Sequence, residues 1–356
     1  MKRALLLGLV GALCQCGGGD LVFVDVSNIP LNTKLLWLTS RYHGTSQVSD
    51  FTFAAPNGSF QGRTSLGLNV PPGQELVVTV EARDGDCALA SQSITMPVGS
   101  GRTVFGFALA VLKPPECVAH LPIGAFSRGC AMPQDKNCDP DEGPLTSIST
   151  GAVDIDINEV SHASYQACTA CTPPLVENTD VVFDHPQTGI TWDQASAYCA
   201  WRGKRLLTEA EWERGARGDN AARIYPWGFT APTCTLANHD SAGGCALAFA
   251  PVTDYPTGAS PFGLLNMAGN AAEWVSDYYA DSYGPEIIDP QGPATGSAHV
   301  IRGGSYLDPP PHIRASYRFS AAPDGTDVDN TVSNSDRLLR TGVRCGRTVR
   351  LPPIAF

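Results

Sequence analysis

Hydrophobic and polar positions change period along this chain. Leu76, Val78 and Val80 alternate with Val77, Thr79 and Glu81, the period-two pattern of a half-buried strand. Similar β-rich runs, LVFVDV, KLLWLT, FTFAAP and TVFGFALAVL, are separated by the turn clusters NIPLNT, PNGSFQGR, PPGQ and DGDC. About seven short strands in about 90 residues predict a small all-β sandwich over 20–112. No catalytic constellation falls in it, so its expected role is that of a spacer. The paired prolines of Lys113-Pro114-Pro115 read as a semi-rigid extended joint.

Beyond Cys117 the texture becomes helical in two places. Thr191-Trp192-Asp193-Gln194 is a capping box that opens a helix running to Trp201, with Gly203 as the stop. Thr208-Glu209-Ala210-Glu211 is a second one, and its helix ends near Gly218. Two capped helices in a Gly-, Pro- and Trp-rich chain predict an α+β domain over 117–350 with short strands and long loops.

Composition narrows the function. With 24 Lys and Arg against 35 Asp and Glu, the net charge is −11, and no basic run exists to neutralise phosphates, so nucleic acid is not an expected partner. Twelve scattered cysteines point away from a reducing compartment. Residues 1–16 explain this: Lys2 and Arg3 precede an apolar run, Ala4–Leu13, too short to span a bilayer core. It reads as a secretory signal. It ends on Cys14 and Cys16 and is similar to bacterial lipoprotein signals, which implies lipidation at Cys16 and membrane attachment in the cell envelope, periplasmic or at the surface. Ten cysteines then remain, an even number that suggests disulfides without fixing their connectivity. Proximity pairs 87 with 117, 130 with 138, 168 with 171 and 234 with 245.

Larger motifs follow one another in order. LPIGAFSRGC at 121–130 and DINEVSHASYQ at 156–166 precede GITWDQASAYCAWRGKRLLTEAEWERGARG at 189–218. Tyr225-Pro226-Trp227-Gly228, GLLNMAGNAAEWVSD at 263–277, RGGSY at 302–306 and TGVRCGR at 341–347 come next. Together they resemble the formylglycine-generating enzyme (sulfatase-modifying factor) family over about two thirds of the chain. The resemblance implies a C-type-lectin-like fold for this domain and a disulfide between Cys199 and Cys345. It also implies a calcium site from the side chains of Asn266 and Glu273 and the carbonyls of Gly269 and Ala271, hard oxygen donors that suit Ca²⁺. A second site would begin at Asn238 and the His239 carbonyl.

In catalytic members two cysteines after RGGS bind copper(I). Here residues 306–324, YLDPPPHIRASYRFSAAPD, contain no cysteine. Asp308 and Ile313 fall near the two positions, and a carboxylate is a hard ligand that cannot replace thiolate for copper(I). Copper and formylglycine synthesis are therefore not expected. The groove would hold Arg302, Ser305, Tyr306, Asp308, His312, Arg314 and Arg318. The first reading is a non-catalytic module binding a peptide, protein or glycan. The alternative is an oxidoreductase-type enzyme of this family with cysteine-independent chemistry. The tryptophans at helix and motif positions read as core rather than as sugar platforms.

Overall fold

The computed structural model describes residues 20–29, 35–42, 48–54, 62–70, 75–84, 87–97, 103–108, 110–175, 182–219, 223–241, 245–246, 248–324 and 337–349. The signal segment with Cys14 and Cys16 lies outside the described residues. The chain divides into two compact units, one of residues 1–85, 89–112 and 352–356, the other of 86–88 and 113–351.

The first unit is built of strands. β1 (Asp20–Ile29) lies between β4 (Gly62–Val70), antiparallel to it, and β7 (Thr103–Ala108), parallel to it. A second run has the order β6-β5-β2-β3, from Cys87–Pro97, Glu75–Asp84, Leu35–Tyr42 and Val48–Ala54. Val78 and Val80 of β5 are fully buried, the period-two face of that strand turned inward.

In the second unit β8 (Ala110–Leu121) runs straight through Pro114 and Pro115. The joint is thus part of a strand: proline's fixed φ suits extended backbone, and beyond the prolines, from Val118 to Leu121, β8 pairs with β11 (Val153–Asp156). β17 (Cys345–Thr348) joins β11 to β12 (Arg205–Leu206). A hairpin of β9 (Gly124–Arg128) and β10 (Thr146–Thr150) stands apart. The other sheet has the order β15-β14-β13-β16, from Phe319–Ala321, His299–Arg302, Ala272–Tyr278 and Thr341–Val343.

Three α-helices complete this unit among the described residues. α1 (His162–Gln166) is a single turn capped by Ser161, too short to show a helical period in the sequence. α2 (Trp192–Trp201) and α3 (Glu209–Arg217) start at their capping boxes; Thr191 Oγ1 accepts from Gln194 N at 3.1 Å and Thr208 Oγ1 from Glu211 N at 3.1 Å. One core packs α2 against β13 and β16 around Tyr198, Trp274, Ile301 and Val343. The other packs Trp212 of α3 with Leu264, Met267, Val275 and Val300. All ten described cysteines are disulfide-bonded: 87 to 117, 130 to 138, 168 to 171, 199 to 345 and 234 to 245.

A buried carboxyl makes stability depend on pH. Asp277 accepts from Glu209 N and Ser276 Oγ, and burial, reinforced by the Glu209 charge, pushes its pKa up from 3.8 to about 7. The folded state thus holds a proton that the unfolded chain has released between these values, and stability falls as pH rises from 4 to 7. Asp277→Asn keeps the acceptor and removes the charge. It is expected to raise the urea midpoint at pH 8 by up to about 4 kcal/mol equivalent, at about 1.4 kcal/mol per pH unit, with no gain at pH 4.

Candidate functional site

The segment between Leu264 and Glu273 turns back on itself through left-handed residues. Asn266 has φ +56°, Gly269 +79° and Asn270 +62°. A Cβ on Gly269 would lie 2.1 Å from the Asn238 carbonyl oxygen, so only glycine fits there. Glu159, which precedes α1, clamps the turn. Its carboxylate accepts from Asn266 Nδ2 at 3.1 Å, Asn270 Nδ2 at 3.0 Å and Ala271 N at 3.0 Å. Burial first, then the nearby Glu273 charge, push its pKa up to about 8. Sequence reasoning did not single out Glu159, because nothing local marks a buried acid inside DINEVSH.

The calcium donors of this turn divide. Asn266 Oδ1 is buried without a hydrogen-bond partner, as an oxygen awaiting a cation would be. Glu273 already has partners: its carboxylate accepts from Trp212 Nε1 at 2.6 Å and from Arg344 Nη2 at 2.8 Å and Nε at 3.1 Å. A cation there would face a guanidinium. At the second expected site the Asn238 amide is fully engaged, with Ala246 N, Ala248 O and Asn270 Oδ1. His239 is buried, its Nδ1 3.2 Å from Ala237 O and 3.4 Å from Cys245 Sγ.

The loop that follows β14 shapes a cleft. Ser305 N and Oγ both donate to Asp308 Oδ2, at 2.8 and 2.6 Å, and Arg340 Nη1 stands 3.9 Å from Asp308 Oδ1. A small pocket of about 20 Å³ opens beside them, lined by Ile301, Ser305, Asp308, Phe319, Arg340 and Thr341 among others. Of the expected groove residues the structure brings only Ser305 and Asp308 to this pocket. Tyr306 packs edge-to-face on Phe249, their ring centres 4.8 Å apart. His312 stacks on Tyr317 at 4.5 Å, and Ile313 is fully buried beside Tyr225, Ala237 and Ala268.

Arg302, Arg314 and Arg318 are corrected from groove to core. Arg302 donates to Glu209 Oε1 at 3.1 Å and Glu213 Oε2 at 2.8 Å; Arg318 grips both oxygens of Glu209, at 2.7 and 3.0 Å. Arg314 is held by Asp135 at 2.8 Å and by both oxygens of Glu142. Each guanidinium is charge-compensated by acids that lie far away in the sequence, which is how a cation can be buried at all. Trp212 and Trp274 are core; Trp192 stacks on His299 and Trp227 on Tyr225. The pocket residues that sequence reasoning missed, Phe319 and Arg340, come from β15 and from the residue preceding β16, and only Arg340 adjoins a motif.

Residues 110–330 match the family described as Sulfatase-modifying factor enzyme 1-like domain. The formylglycine-generating enzyme of Streptomyces coelicolor is 41% identical over 159 residues, 40% of this chain and 50% of that protein. A hercynine oxygenase of Mycolicibacterium thermoresistibile is 40% identical over 150 residues, 39% of this chain and 33% of that one. The chain thus spans half of the first relative's length and a third of the second's. The structure of PvdO from Pseudomonas aeruginosa superposes with a TM-score of 0.56 at 26% identity, covering 67% of this chain and 96% of that one.

Proposed function

The chain belongs to the Sulfatase-modifying factor enzyme 1-like domain family, and from that premise we propose that its pocket is a binding site rather than an oxidising centre. The observation that carries this reading is the chemistry of the pocket wall. Ser305, Asp308, Phe319, Arg340 and Thr341 stand there, residues 306–324 hold no cysteine, and every described cysteine is in a disulfide. Copper(I) needs soft thiolate, and a hard carboxylate does not supply it. Asp308 is engaged by its own loop through Ser305, so it orders the wall.

The ligand we infer is a peptide presenting one side chain. The pocket is too small for a sugar chain, and an apolar floor of Ile301 and Phe319 under polar groups suits the tip of one amphipathic side chain. Calcium has a structural place in this proposal: Asn266 Oδ1 with the carbonyls of Gly269 and Ala271 would hold the ion and brace the turn. Glu273 takes no part, and binding does not run through the ion. The domain's finer fold is read as C-type-lectin-like, and the first unit as a sandwich-type spacer. The chain is placed in the bacterial envelope, attached through a lipid on Cys16.

The test uses the full chain on peptide and glycan arrays, followed by titration of the best peptide. Phe319→Ala is expected to weaken binding about tenfold or more, equal to about 1.4 kcal/mol. Glycan binding without peptide binding overturns the ligand class. Conversion of a sulfatase-type cysteine peptide to its aldehyde under air overturns the whole reading in favour of catalysis.

A further inference from the structure

The five disulfides are not equivalent in their exposure. Cys199 and Cys345 are completely buried, and Cys130 and Cys168 nearly so. Cys234 is exposed, whereas its partner Cys245 is half-buried. The Cys245 sulfur lies 3.4 Å from His239 Nδ1, and Ser241 Oγ stands between the two sulfurs, 3.6 Å from Cys245 Sγ and 3.7 Å from Cys234 Sγ. His239 Nδ1 also lies 3.2 Å from the Ala237 carbonyl oxygen. A carbonyl only accepts, so the hydrogen sits on Nδ1 and is shared with the sulfur.

Thiol–disulfide exchange is fast where the attacked sulfur is accessible and the leaving sulfur is stabilised as thiolate. Cys234 supplies the first condition, and the His239 N–H beside Cys245 supplies the second, while the Ser241 hydroxyl can donate to either sulfur. We propose that Cys234–Cys245 is a thiol-exchange site for a dithiol reductant, attacked at Cys234 and leaving from Cys245. The incoming thiolate forms a new S–S bond with Cys234 Sγ, and the old bond breaks with its electron pair going to Cys245 Sγ. The reductant's second thiolate then attacks its own first sulfur. Cys234 leaves as thiolate, the protein gains two electrons, and the reductant ends as a disulfide.

The nearest competitor is Cys130–Cys138. There Arg314 Nη1 approaches Cys130 Sγ at 3.6 Å, but the Asp135 carboxylate lies within 4.8 Å of both sulfurs and repels an incoming thiolate, and neither sulfur is exposed. The 234–245 loop also touches the pocket wall: Asp240 N donates to the Asp308 carbonyl at 3.0 Å. Opening this disulfide therefore loosens a segment that supports the pocket.

The experiment treats the folded full chain with glutathione or dithiothreitol, traps thiols with N-ethylmaleimide and maps the peptides by mass. The expected result is glutathione on Cys234 with maleimide on Cys245, and dithiothreitol opening this pair about tenfold or more ahead of the other four. Ser241→Ala is expected to slow opening several-fold with the thermal midpoint unchanged. Earlier opening of Cys130–Cys138 or Cys168–Cys171 overturns the proposal, as does glutathione on Cys245. An unchanged rate in Ser241→Ala overturns the part given to its hydroxyl, and the leaving group itself is read from which sulfur carries glutathione.

Discussion

Replacing Arg302 with Met is expected to lower unfolding stability by about 3–5 kcal/mol, read as a fall in the denaturant midpoint. The side chain is entirely buried between Glu209 and Glu213 of α3 and the carbonyls of Ala315 and Ser316. Methionine fills most of the volume but leaves two carboxylates short of a cation in a site closed to water. Arg318 and Arg217 still attend Glu209 and Glu213, which limits the loss to this range rather than to collapse. Asp308→Ala, a change in the pocket wall, serves as the comparison and is expected to cost less than 1 kcal/mol. If the two variants unfold alike, the buried charges are not what holds α3.

The second large effect concerns covalent closure. Cys199 in α2 and Cys345 in β17 are 146 residues apart and fully buried. Closing a loop of that length limits the unfolded chain by about 5 kcal/mol in the chain-entropy account. The double replacement Cys199→Ala, Cys345→Ala is expected to lose about that much, with a small further loss from packing. The same change at Cys168 and Cys171, which close only three residues, is expected to lose far less. Equal losses at the two sites would show that packing of the sulfurs, not loop length, sets the contribution.

What the sequence made legible was what short-range chemistry decides. The capping boxes at Thr191 and Thr208 name their own partners three residues on, so α2 and α3 were readable to within a residue. Strands of two to four residues, such as β12, β14 and β16, carry too few positions for a period to show. The α3 segment EAEWERGAR has the composition of a solvated helix, yet all nine of its residues are buried. Its acids are matched by arginines 93 and 109 residues further on, and no local pattern announces such a partnership. The same blindness placed Arg302, Arg314 and Arg318 in a groove, because a charged side chain is ordinarily an exposed one. Ser305 and Asp308 were found through the RGGSY motif. Phe319 and Arg340 reach the pocket by tertiary packing alone.

The dependence of α3 on late-coming arginines also sets the order of events during biosynthesis. Glu209 and Glu213 emerge from the ribosome long before Arg302 and Arg318, and Cys199 long before Cys345. Until then the nascent helix carries acids that are better left in water, so the growing polypeptide gains little by closing early. The second unit thereby closes only once Arg302, Arg318 and Cys345 have joined it, and a chain cut before Arg302 is expected to stay open rather than form a smaller folded domain.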